Sequence, residues 1–137
     1  MDCIFCKIVE GEIPAERVYE DEKTLAFMDI HPLSQGHVLV IPKSHAATID
    51  TIEASDFLAV MSSVHKLAAA VTKALKPDGI NLLQLNGKAA NQMVPHLHVH
   101  IVPRWSGDGL TVSKWEIVPG DLERIKNTAT QIKNMLS

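Results

Sequence analysis

The 137-residue sequence lacks an excess of basic charge. It contains 13 lysine and arginine residues against 16 aspartate and glutamate residues, for a formal net charge of −3 at pH 7. Proteins that bind polynucleotides neutralise phosphates with a basic surface, so this balance argues against a nucleic-acid partner. A small nucleotide needs only a local set of hydrogen-bond donors and is compatible with the composition.

Long apolar runs are also missing. No stretch approaches the roughly 18 consecutive apolar residues of a membrane span, and residues 1–7 have no basic stretch followed by an apolar one. We therefore expect no membrane partner and a cytoplasmic location, or also a nuclear one in a eukaryote. No repeat or low-complexity tract interrupts the chain. With 46% hydrophobic residues, residues 1–137 are interpreted as a single domain with one sizeable core.

Cysteine is scarce, and both cysteines lie close together near the N-terminus, at Cys3 and Cys6. In a reducing compartment such a Cys-x-x-Cys pair is more often metal-binding or redox-active than a structural disulfide. Structural zinc takes four ligands, usually Cys and His, and the candidates for the other two are His45 and His96. A pair without metal, or with a redox role, remains the alternative.

Glycine-rich phosphate loops are absent as well, so any phosphate must be held in another way. What the sequence does contain is the run His96-Leu97-His98-Val99-His100. On a β-strand the three imidazoles point to one face and the intervening apolar residues to the other. Imidazole acts as a base, a nucleophile or a metal ligand. The triplet therefore predicts a metal site, or catalysis on phosphate or acyl groups.

Metal ligation and nucleophilic attack compete for the same nitrogen lone pairs, so we expect the three histidines to divide these tasks. The central one, His98, is the candidate nucleophile, with one ring nitrogen unprotonated and the other donating a hydrogen bond that sets the tautomer. His100 could stabilise phosphate charge or protonate a leaving group. Amides in the preceding polar loop could hold phosphate oxygens, and these are Asn86, Asn91 and Gln92.

The remaining pattern predicts an α+β fold. Strand-like runs and helical spacings alternate with turn residues, which gives strands at 18–21, 24–28, 37–42, 80–86 and 96–102 and helices within 51–76 and 122–136. The long helix is expected to stop at Pro77-Asp78-Gly79, and Asp121 is the predicted N-cap of the second helix. The order of elements favours a five-stranded antiparallel sheet with its helices on one side.

The histidine run, extended through Ile101 and Val102, resembles the signature of the histidine triad (HIT) nucleotide-binding proteins. Other segments occur in the order and spacing of that family, namely residues 3–8 (CIFCKI), 13–14 (IP), 27–30 (FMDI), 36–43 (GHVLVIPK) and 86–87 (NG). The resemblance covers nearly the whole chain. The Cys-x-x-Cys pair is typical of the adenosine phosphoramidase, HINT-like, branch rather than of the dinucleoside polyphosphate hydrolases.

This resemblance implies an enzyme that releases a purine nucleotide such as AMP from adenosine phosphoramidate, or from aminoacyl or lysyl adenylates, through a nucleotidyl-histidine intermediate. In that reading His98 is the nucleophile, His100 contacts the phosphate and leaving group, and His37 supports them. Asp29 binds the ribose hydroxyls. Residues along the base and phosphate are Phe5, Ile8, Phe27, Ile30, Leu39, Asn86, Gln92, Met93 and Val94. It also implies Zn²⁺ on Cys3, Cys6, His45 and His96, and a homodimer with a continuous ten-stranded sheet.

One departure from the family pattern concerns the phosphate side. Many members have Gly-Gln-Ser where this chain has Asn91-Gln92-Met93, so a hydroxyl donor is replaced by a thioether that has none. Phosphate capture at Met93 would then rest on its backbone N–H.

Two other functions remain open: a zinc-stabilised nucleotide-binding regulatory or scaffold protein with incidental hydrolysis, and a dinucleoside polyphosphate hydrolase. Trp115 is a candidate dimer or substrate contact.

Overall fold

A computed structural model describes residues 2–111 and 118–136, and Trp115 therefore lies outside the described residues. Five strands form one antiparallel sheet in the order β1-β2-β3-β5-β4. The strands are β1 (Arg17–Glu20), β2 (Thr24–Met28), β3 (Val38–Pro42), β4 (Gly79–Gln84) and β5 (Val99–Arg104). The helices are α1 (Ile4–Val9), α2 (Ala54–Leu75) and α3 (Leu122–Asn134), with a 3-10 turn at Lys88–Ala90. The α+β class and the five-stranded sheet are confirmed.

The two faces of the sheet carry two separate hydrophobic clusters, because side chains alternate along each strand. On one face the buried residues of α2 and α3 pack on Ala26, Val38, Val40, Val99 and Ile101, among others. On the opposite face α1 packs on Leu25, Phe27, Leu39 and Ile41. Both faces of the central strands are therefore covered, which accounts for the continuous burial of β2 and β3.

The two long helices end and begin where the sequence predicts. After α2, Lys76 adopts a left-handed conformation with φ of 49° and the strand β4 begins at Gly79. At the start of α3 the Asp121 carboxylate accepts hydrogen bonds from the backbone N–H groups of Glu123 and Arg124. Such a cap satisfies donors that have no partner within the helix.

Helix α2 is long and apolar enough to cross a bilayer by length and composition alone. It is, however, a core helix, since Val60, Val64, Leu67 and Val71 are almost completely buried against the sheet. The core helix of a globular domain meets the same criterion, so its hydropathy carries no argument for a membrane span.

Two expectations need correction. All helices were expected on one side of the sheet; α2 and α3 do share one side, but the short helix α1, which was not predicted, lies on the other, because Phe5 and Ile8 have their own apolar partners there. The last predicted strand was expected to begin at His96, yet β5 begins at Val99. The preceding backbone leaves the sheet ladder, since the N–H of Leu97 donates to the carbonyl of Ala46 at 2.7 Å.

The strand order places β5 in the interior of the sheet, between β3 and β4. In this register His100 lies opposite Leu39 on one neighbour and opposite Leu83 on the other. The part of the histidine run that lies in β5, Val99 and His100, is thus flanked by hydrogen-bonded strands on both sides, a rigid support for side chains that must keep fixed positions.

Candidate functional site

The three histidines of the run share one face, as predicted. Leu97, Val99 and Ile101 lie in the cluster under α2 and α3, and the alternate side chains of His96, His98 and His100 project toward the α1 side. All three imidazoles are buried, with at most 5% of each residue exposed. Buried polar groups must find hydrogen-bond partners within the protein, and the partners of each ring differ.

His98 has the hydrogen bonding expected of a nucleophile. Its Nδ1 lies 2.7 Å from the backbone carbonyl oxygen of His96, and a carbonyl only accepts, so Nδ1 carries the hydrogen. In the neutral ring the lone pair is then on Nε2. Burial lowers the pKa of His98, which favours this neutral form. The ring of Phe5 contacts it edge-on, with ring centroids 5.1 Å apart.

His37 and His100 form a second unit. His37 Nε2 lies 3.0 Å from His100 Nδ1, and the backbone N–H of Leu33 donates to His37 Nδ1 at 3.0 Å. Burial lowers the pKa of His37 to about 4 and that of His100 to about 2, so both rings are neutral near pH 7. The Asp29 carboxylate, 3.6 Å from His37 Nε2, opposes this shift only in part.

Asp29 stands at the rim, directly after β2. Its Oδ1 accepts the backbone N–H of His31 at 2.8 Å, which is an Asx-type turn, and its side chain is 14% exposed. A carboxylate at the rim of the histidine face suits a diol ligand, since it accepts two hydrogen bonds. The expected ribose contact stays a prediction.

Most of the expected base-binding residues come together. Phe5, Ile8, Phe27 and Leu39 belong to one buried cluster, with Val94 at its edge. Ile30 stands apart at the surface, with 52% of the residue exposed. An apolar wall beside His98 is the kind of lining that purine-sized ligands use.

The polar loop before the histidines is braced by its own amides. Gln92 accepts the N–H of Gly87 at 2.7 Å and donates to the carbonyl of Ala47 at 2.7 Å, and Asn86 accepts the N–H of Ile49 at 2.7 Å. Both amides therefore have a structural role that was not predicted, and their expected contacts with phosphate remain predictions. Nearby, Asn91 and Met93 are exposed, the latter to 69%.

A second candidate centre lies where the chain brings α1 to the end of β3. Cys3, Cys6, His45 and His96 offer four ligand atoms that all lie within 4.8 Å of one another. The Nδ1 atom of His96 lies 3.3 Å from Cys3 Sγ, 3.6 Å from Cys6 Sγ and 3.2 Å from His45 Nδ1, and His45 Nδ1 lies 3.4 Å from Cys6 Sγ. A tetrahedral Zn²⁺ site with these ligand types places its donor atoms about 3.3–3.8 Å apart. The four residues fit a structural zinc ion.

The surroundings of this centre support the same conclusion. His96 Nε2 donates to the carbonyl of Pro42 at 2.9 Å, which directs the Nδ1 lone pair to the cluster. Cys3 caps α1 by accepting the N–H of Cys6 on its sulfur, so a helix begins at the cysteine pair.

Asp29, His37 and His100 also bring possible ligand atoms within 4.8 Å of one another. Hydrogen bonds already engage this group, because His37 accepts from Leu33 at one nitrogen and contacts His100 at the other. The supporting groups at Leu33 and Pro42 were not predicted. Both act through backbone atoms, which leave no residue-type signal in a sequence.

Comparison with known proteins agrees with this geometry. The sequence model of the HIT domain matches residues 10–107. The adenosine 5'-monophosphoramidase of Schizosaccharomyces pombe is 42% identical over 137 residues, which covers 99% of each chain. A HIT-like protein from Bartonella henselae has a similar structure, with a TM-score of 0.91 and 40% identity over 98% of this chain and 96% of that one. A zinc-bound histidine triad protein from Mycobacterium smegmatis has a TM-score of 0.87 and 36% identity, over 98% and 93% of the two chains.

Proposed function

This chain belongs to the HIT domain family, and on that premise we propose that it is a nucleotide hydrolase that releases AMP from adenosine phosphoramidates. The observation that carries the proposal is the hydrogen bond from His98 Nδ1 to the carbonyl of His96, which leaves the lone pair of a neutral imidazole on Nε2. An imidazole held in this tautomer is prepared for attack on phosphorus. The S. pombe relative, whose name states phosphoramidase activity, supports the choice of substrate class.

In the proposed reaction, the Nε2 lone pair of His98 forms a bond to phosphorus while the P–N bond of the substrate breaks. The leaving nitrogen takes the electron pair of that bond and a solvent-derived proton. Water then attacks the phosphorus of the nucleotidyl-imidazole, the ring leaves with its electron pair, and one proton returns to solvent. AMP and an amine, or ammonia, are the products, and His98 is regenerated.

His100 is proposed to donate a hydrogen bond to the negative charge on the phosphoryl group. Because burial keeps the pKa of His100 low, its ring is neutral. A neutral imidazole transfers a proton poorly, so His100 is a poor general acid. A neutral N–H directed at developing charge still stabilises a transition state. His37, in hydrogen-bond contact with His100, would hold that ring in position.

We also propose Zn²⁺ as a structural ion held by Cys3, Cys6, His45 and His96. The close spacing of these ligand atoms and the zinc-bound relative support this assignment. When bound, zinc would cross-link α1 to the loop after β3 and to the start of the histidine run. The ligand His96 is also the residue whose carbonyl holds His98, so this cross-link would stabilise the nucleophile's support.

The test is steady-state hydrolysis of adenosine phosphoramidate by the zinc-loaded protein and its His98→Ala variant. We expect AMP release that the variant loses by more than about a thousandfold, while AMP binding persists in calorimetry. Mass spectrometry of acid-quenched reactions should detect the nucleotidyl adduct only when His98 is present. Binding without hydrolysis in both proteins would instead favour the regulatory binding function, and preference for diadenosine polyphosphates the polyphosphate hydrolase.

The free edge of β4 is proposed to join a second copy of the chain. Within the described residues β4 pairs with β5 alone, and its central Leu82 is 49% exposed. An open strand edge with an apolar side chain is a site for pairing with another strand. Light scattering should report a dimer, and Leu82→Lys should shift it toward monomer. A monomeric wild-type protein at micromolar concentration would contradict this assembly.

A further inference from the structure

We infer that the backbone N–H of Leu33 determines which nitrogens of His37 and His100 carry hydrogen, and thereby makes His100 a hydrogen-bond donor at Nε2. In this role Leu33 is a positioning residue that acts through two rings. The catalytic part of the inference rests on the proposed function, whereas the assignment of hydrogens rests on contacts within the protein alone.

The first step concerns His37. The N–H of Leu33 donates to His37 Nδ1 at 3.0 Å, and a donor of this kind needs a lone pair on its acceptor. Nδ1 is therefore unprotonated. His37 is 0% exposed, and a charged imidazole at such a position would lose its hydration. The neutral ring then carries its single hydrogen on Nε2.

The second step passes this assignment to His100. His37 Nε2 is 3.0 Å from His100 Nδ1, and since His37 supplies the hydrogen, His100 Nδ1 accepts it. The hydrogen of the His100 ring is consequently on Nε2. His98 has the opposite tautomer, with hydrogen on Nδ1. The two ring centroids are 4.8 Å apart, so an Nε2 lone pair and an Nε2–H are presented by neighbouring rings on one face.

Hydrogen bonds hold the loop that carries Leu33 in place on both sides of the Leu33–His37 contact. The N–H of Asp29 donates to the carbonyl of His37 at 3.0 Å, and the N–H of His37 approaches the carbonyl of Ser34 at 3.3 Å. The hydroxyl of Ser34 donates to the carbonyl of Pro103 in β5 at 2.7 Å. The donor N–H and the strand that carries His100 are thus parts of one connected backbone frame.

The assignment can be tested by long-range ¹H–¹⁵N correlation spectra of the imidazole rings in the zinc-loaded, full-length protein. We expect Nε2–H tautomers for His37 and His100 and an Nδ1–H tautomer for His98, with signals assigned from single histidine variants. Because no substrate is present, this readout does not depend on the enzyme being a phosphoramidase.

The role of the N–H is tested by the pair Leu33→Pro and Leu33→Ala. Both remove the leucine side chain, but only proline removes the donor. Leu33→Ala should keep the wild-type tautomers, whereas Leu33→Pro should give a mixture at His37 and His100. We expect kcat for adenosine phosphoramidate to be at least about tenfold lower in Leu33→Pro than in Leu33→Ala, as for loss of one oriented catalytic group.

An Nδ1–H or doubly protonated His37 or His100 in the wild-type spectrum at pH 7 would overturn the inference, even if Leu33→Pro fails to fold. A folded Leu33→Pro variant with the same tautomers and kcat as Leu33→Ala would also overturn it. Expected tautomers in a protein that hydrolyses no phosphoramidate would uphold the assignment of hydrogens and refute the proposed function and, with it, the catalytic role of Leu33.

Discussion

Acidification should lower the unfolding free energy of this protein, because His37 is buried as a neutral ring. The pKa of His37 is about 4 in the folded chain against an ordinary value of 6.5, because the ring is completely buried. Between these two values the unfolded chain binds a proton that the folded chain does not. The contribution of neutral His37 to the unfolding free energy is therefore fully present only above pH 6.5, and it is lost as the pH falls toward 4.

For a single site with these two pKa values, lowering the pH from 7.5 to 5.0 costs about 2 kcal/mol of unfolding free energy. Other groups also titrate in this range, so the quantity to measure is the difference between the wild type and His37→Gln. Glutamine keeps a polar side chain of similar reach that does not titrate. We expect the stability gap between the two proteins to narrow by about 2 kcal/mol over this pH range.

Urea unfolding followed by circular dichroism, at fixed zinc and at several pH values, measures this gap directly. A wild-type advantage that stays constant from pH 7.5 to 5.0 would refute the reasoning, because it would mean that His37 binds protons equally in the folded and unfolded chains. A gap that widens on acidification would require His37 to be charged in the folded protein, which would also contradict the neutral His37–His100 pair.

Three further predictions concern the ligand, the metal and the backbone. Asp29→Ala should weaken AMP binding in calorimetry by about 1–3 kcal/mol through lost charged hydrogen bonds, and equal affinity would exclude the ribose contact. A chelator should lower the thermal midpoint by at least about 4 °C, reversibly with zinc, while a Cys3→Ala, Cys6→Ala double variant responds to neither. Gly36→Ala should cost about 1–3 kcal/mol in urea unfolding, because its φ is +89° and a Cβ there overlaps the last side chain of α2. Gly79→Ala, with nothing within 4 Å of the new Cβ, should cost less.

Much of the fold was predictable from short-range pattern. The alternation from Leu97 to Ile101 predicted that the histidines share one face. They do share it, although the first part of the run lies outside β5. The helical spacing of α2 and the cap at Asp121 also depend only on neighbouring residues. The short helix α1 was missed, because a six-residue helix has too few turns to show an apolar period.

The candidate zinc ligands were also predictable from the sequence, since cysteine and histidine are few and their chemistry is specific. Their actual proximity required the fold: His96 meets Cys3 across 93 residues of sequence and His45 across 51. The roles of Asn86 and Gln92 in bracing their own loop were not predictable, because an amide can donate and accept in many arrangements that the sequence does not distinguish.

By itself, the sequence determined the chemistry available to this protein: three imidazoles on one face, two thiols near a terminus, and an α+β order of strands and helices. Those features follow from residue type and from periodicity, which are local properties. Only the tertiary structure decided the protonation pattern that makes the imidazoles different from one another. That pattern depends on a carbonyl at His96, a carbonyl at Pro42 and an N–H at Leu33. Every residue but proline carries the same backbone groups, so their selection comes from three-dimensional position alone.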